Sequence, residues 1–179
     1  MMQNGYPLVI PPMVSVFQKQ VGFMGEDYAQ ASPSSGAYEG TAVAVYLPII
    51  LPAPCAVRRV WWVNGYTVSG GATVEVGVYA DSGYGPGVKL LSGSATQGAS
   101  LGLQFVDVTD FSLPPGLVWI ALVASTATNT TFLRSAVSGT ALHVRLQQSS
   151  AYPLPSTATP AVSTSTNIYL FGFATTASP

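Results

Sequence analysis

The residues that could do chemistry in this chain are few and lie far apart. It has one histidine, His143, and one cysteine, Cys55. One of each cannot supply the four ligands of a structural zinc site, and a lone cysteine excludes an internal disulfide. Nothing in the sequence places His143 beside Cys55 to activate it as a nucleophile. The apolar context of Cys55, between Pro54 and Ala56, predicts a small buried side chain.

The seven carboxylates form no catalytic motif. Asp107 and Asp110 are close enough in sequence to share a cation, and Asp81 in a glycine-rich loop could offer calcium one oxygen. The alternative is that Asp81 and Asp110 accept hydrogen bonds from turn backbones. No spacing selects a glycosidase pair, and no nucleophile elbow or phosphate-binding loop is present. We therefore predict no catalytic residue, no metal and no cofactor, and that the protein is not an enzyme.

The aromatic residues are the most informative group. Trp61 and Trp62 are adjacent on a predicted strand, so they should point to opposite faces, one into the core and the other onto a groove or subunit contact. Tyr84 lies in the loop Gly83–Gly87. Exposed aromatics anchor protein interfaces, and they can also stack on sugar rings. The sequence leaves both options open, and we predict Trp62 and Tyr84 as partner-binding residues.

Short strands are predicted to position these residues. Val74, Val76 and Val78 alternate with other residues, which predicts a half-buried strand, and Leu117–Ala124 is apolar on both faces, as in a central strand covered on both sides. With 18 glycines and 14 prolines, no long stretch has a convincing helical period. Eight or more short strands predict an all-β fold, a jelly-roll-like antiparallel β-sandwich over residues 41–179.

Three further segments complete this organisation. For residues 1–40 we predict an extended N-terminal arm that docks on a neighbouring molecule, and the alternative is a disordered leader. For residues 141–147 we predict a strand on which His143 and Arg145 point outward. For residues 148–166 we predict an ordered loop that crosses the fold. The predicted partner-binding residues of the arm are apolar: Leu8, Val9, Ile10, Val14, Val16 and Phe17.

Charge is scarce. Lys and Arg number six and Asp and Glu seven, or 7% of the chain, against 48% hydrophobic residues and a net charge of −1. A typical soluble domain has about 25% charged residues. Nucleic-acid binding through phosphates needs clustered cations and is not expected. We also expect no signal peptide and no membrane-spanning helix. A nearly neutral surface favours association, which indicates a subunit of an assembly.

Several segments together carry a resemblance. They are Val57–Val63, then Val74–Asp81 with its Gly-Pro-Gly loop, then Leu113–Leu122, and finally Tyr169–Phe173. In order and style they resemble the jelly-roll-like β-sandwich domains of capsid decoration (cement) proteins of tailed bacteriophages and of some phage fibre modules. The chain has no coiled-coil or collagen-like stalk, so it is more similar to a compact decoration protein than to a fibre.

The resemblance implies a structural virion protein that assembles in the host cytoplasm and stabilises the phage head. Its implied partners are the major capsid protein and further copies of itself, as a trimer or dimer, and it brings no catalytic residues. The alternative is a receptor- or carbohydrate-binding β-sandwich module of a phage tail or fibre, with a glycan as ligand.

Overall fold

The computed structural model describes residues 20–22, 34–65, 71–128, 130–136, 145–163, 165 and 167–174. All regular secondary structure in these residues is β-strand, and none of them forms a helix long and apolar enough to cross a membrane. The strands are β1 (Gln20–Gly22), β2 (Ser34–Ala37), β3 (Ala44–Leu51), β4 (Cys55–Asn64), β5 (Thr73–Asp81), β6 (Pro86–Thr96), β7 (Gly102–Leu113), β8 (Gly116–Ala124), β9 (Thr131–Ala136), β10 (Leu146–Gln148), β11 (Ala161–Val162), β12 (Asn167–Tyr169) and β13 (Phe171–Ala174).

The strands form two antiparallel sheets. In the first, sheet A, the central strand β4 pairs with β7 on one side and with β13 and β9 on the other. β1 pairs with β13, while β2 and β12 pair with β9. The second, sheet B, has the strand order β11-β10-β3-β8-β5-β6. The predicted all-β antiparallel sandwich is therefore confirmed.

The core between the sheets follows from alternation along the strands. Val118, Ile120 and Leu122 of β8 point inward and are buried against the inward residues of sheet A, among them Val60 and Phe171. The residues that alternate with these inward residues along each strand point to the outer face of its sheet. The outer faces of the two sheets differ in how far the chain itself covers them.

The outer face of sheet B is covered by the chain itself. Residues 149–160, here called the cover segment, cross this face, and Ala151, Leu154 and Ala158 pack with Tyr79 and Trp119 of the sheet. The crossing loop predicted over residues 148–166 is thus confirmed for 149–160, while Gln148 belongs to β10 and Ala161–Val162 to β11. The cover segment also corrects the prediction of a half-buried strand at Val74–Val78, because it buries the second face of β5 as well.

Part of the predicted N-terminal arm belongs to the sandwich. Ser34–Ala37 pairs with β9, and the hydroxyl of Tyr38, which is buried in the core, donates to the carbonyl oxygen of Leu122 at 2.8 Å. Gln20–Gly22 pairs with β13. The sandwich therefore includes residues before the predicted boundary near residue 40. Residues 1–19 and 23–33 lie outside the described part of the chain.

Candidate functional site

The two adjacent tryptophans are both buried. Trp62 lies in the core between the sheets with 1% of its surface exposed, and its Nε1 donates to Oδ1 of Asn64 at 3.0 Å. Trp61 points to the outer face of sheet A, yet it is only 4% exposed and packs with Leu170 and Ala174. The prediction that Trp62 contacts a partner is wrong in this structure, because the surface it would offer is used by the core.

Tyr84 is fully exposed at the tip of the turn between β5 and β6. The backbone N–H and the Oγ of Ser82 both donate to the carbonyl oxygen of Gly85 at 2.8 Å. Oδ2 of Asp81 accepts from the backbone N–H of Gly83 at 3.0 Å, and Oδ1 accepts from Nε1 of Trp119 at 2.8 Å. The predicted turn role of Asp81 is confirmed. The turn holds the Tyr84 ring in solvent, where a partner could reach it; its role in binding stays a prediction.

The other predicted partner-binding residues lie outside the described residues. They are the apolar residues of the arm, Leu8, Val9, Ile10, Val14, Val16 and Phe17. His143 also lies outside them. Cys55 is partly buried against the core, and burial raises the pKa of its thiol.

The acidic residues that could have shared a cation are held by arginines instead. Asp107 pairs with Arg59 at 2.6 Å and Asp110 with Arg58 at 3.2 Å. Both pairs join the neighbouring strands β7 and β4. Within the described ranges, no three or more His, Cys, Asp and Glu side chains lie close enough together to hold a metal ion.

A third ion pair attaches the cover segment to sheet B. The carboxylate of Glu75 is buried on the outer face, lies 3.4 Å from Nζ of Lys89 and accepts from the backbone N–H of Leu154 at 2.8 Å. Nζ of Lys89 donates to the carbonyl oxygen of Leu154 at 2.6 Å. The hydroxyl of Tyr79 donates to the carbonyl oxygen of Pro155 at 2.7 Å. The charges here bind the chain to itself.

The fourth ion pair, between Glu39 and Arg145, is buried. Arg145 was predicted to point outward, but its side chain is buried, and Nη1 donates to Glu39 Oε1 at 2.8 Å and to the carbonyl oxygen of Asn167 at 2.6 Å. Ser165 also donates to Glu39. Burial raises the pKa of Glu39, but the hydrogen bonds and positive charge of Arg145, with Ser165 and Asn167, outweigh it, so the net pKa lies below 4.5.

An exposed apolar cluster lies on and beside β7. We call it the β7 patch; Leu101, Leu103 and Phe105 are 48%, 47% and 50% exposed. Leu103 and Phe105 point to the outer face of sheet A, opposite Val63 and Trp61 of β4. The sequence contained a signal for it: Leu103 and Phe105 alternate with Val106 and Val108, so β7 carries apolar residues on both faces.

A second exposed apolar pair lies at one end of sheet B. Ile50 of β3 and Leu117 of β8 are directly opposite each other, on the outer face and past the reach of the cover segment. The described surface thus offers apolar groups at these two places and, singly, at Val88 and Val162. Eight of its charged side chains are engaged in four ion pairs.

No protein-family model, no curated protein and no solved structure matches this chain.

Proposed function

We propose that the chain is a structural virion protein of a tailed bacteriophage, a capsid cement or decoration protein. In this proposal it self-associates and binds neighbouring subunits of the major capsid protein, so that the assembled head is held by contacts between neutral surfaces. The proposal takes its protein class from the sequence resemblance and its mode of binding from the surface.

One observation carries the mode of binding. The Asp and Glu side chains that lie in strands β4 to β7 and beside β2 are mostly neutralised within the chain, by Arg58, Arg59, Lys89 and Arg145. What remains for partners is a surface of internally paired charges, polar uncharged groups and exposed apolar side chains such as Phe105 and Ile50. Contacts of this kind depend on burial and shape, and salt screens them little.

The location of the chain in virions tests the proposal. Electron cryo-microscopy of phage particles that carry the chain should show its density on the outer capsid lattice, and particles from a strain deleted for it should lack that density. The deleted particles should also release DNA at a lower temperature. Density at the tail, or none on the head, would contradict the proposal.

Ionic strength and truncation sharpen the same test. Binding of the purified chain to deleted particles should change little between about 0.1 and 0.5 M salt, a range in which surface ion pairs are progressively screened. A variant without residues 1–19 keeps β1 and should fold, yet lose binding if the predicted arm contacts the capsid. Full binding by this variant would remove the arm from the proposal.

A receptor- or carbohydrate-binding module remains the second candidate, favoured by the exposed Tyr84 ring on its hydrogen-bonded turn. Trp61 and Trp62 are buried, so Tyr84 would have to supply the stacking surface. A glycan array comparing the chain with Tyr84→Ala tests this candidate. A glycan signal that disappears in Tyr84→Ala would favour it over the cement proposal.

A further inference from the structure

Strand β7 is a long edge strand. It spans Gly102–Leu113, 12 residues, and among the described residues it forms a ladder with β4 alone. Half of its backbone N–H and C=O groups therefore face away from the sheet, as in any edge strand. These groups can be satisfied by water or by another strand.

The neighbouring edge of the sandwich is treated differently. In β6, the backbone N–H of Lys89 donates to the carbonyl oxygen of Ser156 at 2.8 Å, and the N–H of Ala158 donates to the carbonyl oxygen of Gly87 at 2.9 Å. Val88 and Thr157 form a β-bridge. The cover segment thus occupies the first part of the β6 edge, whereas in the described structure no segment of the chain does this for β7.

β7 also lacks the residues that usually protect an exposed edge. Proteins commonly place lysine, proline or a strong bulge there to prevent pairing with another chain. β7 has no lysine and no proline within Gly102–Leu113. Its one irregularity against β4 is a register shift between Asp107 and Phe111, so residues 102–107, which carry Leu103 and Phe105, form a regular edge. Its outer side carries Leu103 and Phe105 instead, half exposed beside the free edge.

The charges on β7 would not oppose a second β7. Its two aspartates, Asp107 and Asp110, are paired with Arg59 and Arg58 of the same sheet. The Arg59 guanidinium also lies over the Phe105 ring, 4.0 Å from its centroid. Two copies brought together here would therefore present neutral ion pairs and apolar rings to each other rather than rows of carboxylates.

We propose that β7 is the self-association edge of this protein, and that it pairs antiparallel with β7 of a second copy about a two-fold axis. A second copy is the occupant that fits, because it brings an edge of the same length and the same apolar cluster, and a two-fold axis makes such a surface self-complementary. The pairing joins two copies of sheet A into one continuous sheet. It deepens the self-association in the proposed function and specifies a dimer.

Charge substitutions on the β7 patch test this dimer. Sedimentation equilibrium of the full chain should show a monomer–dimer equilibrium. The double variant Leu103→Lys/Phe105→Lys should weaken it by about 100-fold, because like charges facing each other across an interface cost several kcal/mol. The matched control is Ile50→Lys/Leu117→Lys, an exposed apolar pair on the outer face of the other sheet, and it should dimerise like the wild type.

Hydrogen exchange gives a second measurement that needs no variant. The outward amides of β7 should exchange slowly at concentrations where the dimer forms and quickly where it dissociates, while amides of the central strand β8 stay protected at both. A monomeric full chain at about 100 µM, a control pair that weakens dimerisation equally, or β7 exchange independent of concentration would each overturn the proposal.

This test is separate from that of the proposed function. A dimer in solution without density on the phage head would refute the cement proposal and leave the β7 dimer intact. Density on the phage head from a chain that is monomeric in solution would refute the β7 dimer and leave the cement proposal intact.

Discussion

The outer faces of sheets A and B begin from similar strands and end in different states. On sheet B, Tyr79 and Trp119 are buried beneath the cover segment. On sheet A, Leu103 and Phe105 of β7 remain half exposed. Both faces carry aromatic and aliphatic side chains, so hydrophobicity alone does not decide which face the chain covers.

The polar groups on the two faces account for the difference. Tyr79, Glu75 and Lys89 each have a hydrogen bond to the backbone of Leu154 or Pro155 in the cover segment. Buried polar groups need such partners, so they specify which segment lies over them. Leu103 and Phe105 have no polar side-chain atom and accept any apolar surface of suitable shape. The comparison indicates that the face of sheet B is committed to its own chain, whereas the face of sheet A is open to a partner at β7.

Removing Arg145, which forms a buried ion pair with Glu39, should have the largest effect on stability. Arg145→Met leaves the partly buried Glu39 carboxylate without its cation, and breaking a buried pair in this way costs about 3–5 kcal/mol of unfolding free energy. Urea unfolding measures the loss. The control Arg58→Met breaks an exposed pair with Asp110 and should cost about 1 kcal/mol or less. Equal losses in the two variants would show that the buried Glu39–Arg145 pair contributes no more to stability than an exposed pair.

A matched pair of leucine substitutions compares the faces directly. Leu154→Ala empties a buried position over sheet B, and we expect a loss of about 2–5 kcal/mol. Leu103→Ala removes a side chain that is 47% exposed, and its monomer should change by about 0.5 kcal/mol or less. Unfolding is followed by intrinsic fluorescence at low protein concentration. If Leu103→Ala lowered the free energy of unfolding more than Leu154→Ala, the assignment of the open face to sheet A would be wrong.

Gly77→Ala should show how closely the cover segment lies on sheet B. A Cβ at Gly77 would come within 2.8 Å of Cδ1 of Leu154 and 3.2 Å of the carbonyl oxygen of Leu91. We expect overpacking to cost about 1–3 kcal/mol. In the double variant Gly77→Ala/Leu154→Ala the first clash disappears, so its loss should be smaller than the two single losses combined. Strict additivity would mean that Leu154 does not pack on Gly77.

The smallest expected effect is on the acid side of the stability curve. The pKa of Glu39 in the folded chain is lowered by its bonds to Arg145, Ser165 and Asn167. Its contribution to stability is therefore fully present above the pKa of the unfolded chain and is lost as pH falls through the folded pKa. Glu39→Gln should therefore remove at most about one proton from the pH dependence of unfolding in this acidic range. This change in slope is separate from the pH-independent loss caused by leaving the buried Arg145 without its counter-charge. Urea unfolding between about pH 6 and pH 3 measures the slope, and an unchanged slope would refute the assignment.

Local pattern was sufficient to predict several of the strands, although not β2 (Ser34–Ala37) or β9 (Thr131–Ala136). The alternation at Val74–Val78 and the apolar run Leu117–Ala124 both appear as strands β5 and β8. Residues 148–166 were predicted to cross the fold because strands lie on both sides of them. These predictions succeed because strand periodicity and turn residues are properties of neighbouring positions.

Which faces are covered could not be predicted in this way. Trp61 is buried by residues near the other end of the chain, and its Nε1 donates to the carbonyl oxygen of Phe173, 112 positions away. Glu39 and Arg145 are 106 positions apart, so nothing local showed that Arg145 points inward. Strand alternation correctly predicted that Trp61 and Trp62 point to opposite faces of the sheet. It could not show that other parts of the chain would bury both side chains.

The distance along the chain between sheet B and its cover segment has a consequence for how the protein is made. Leu154 is 79 positions from Glu75 and 65 from Lys89. On the ribosome, the strands that carry Tyr46, Tyr79 and Trp119 emerge well before the cover segment is synthesised. Until it arrives, the nascent chain presents an aromatic surface to other chains and to chaperones. Contacts this remote in sequence also slow folding, so yield in expression should depend on temperature and chaperone supply.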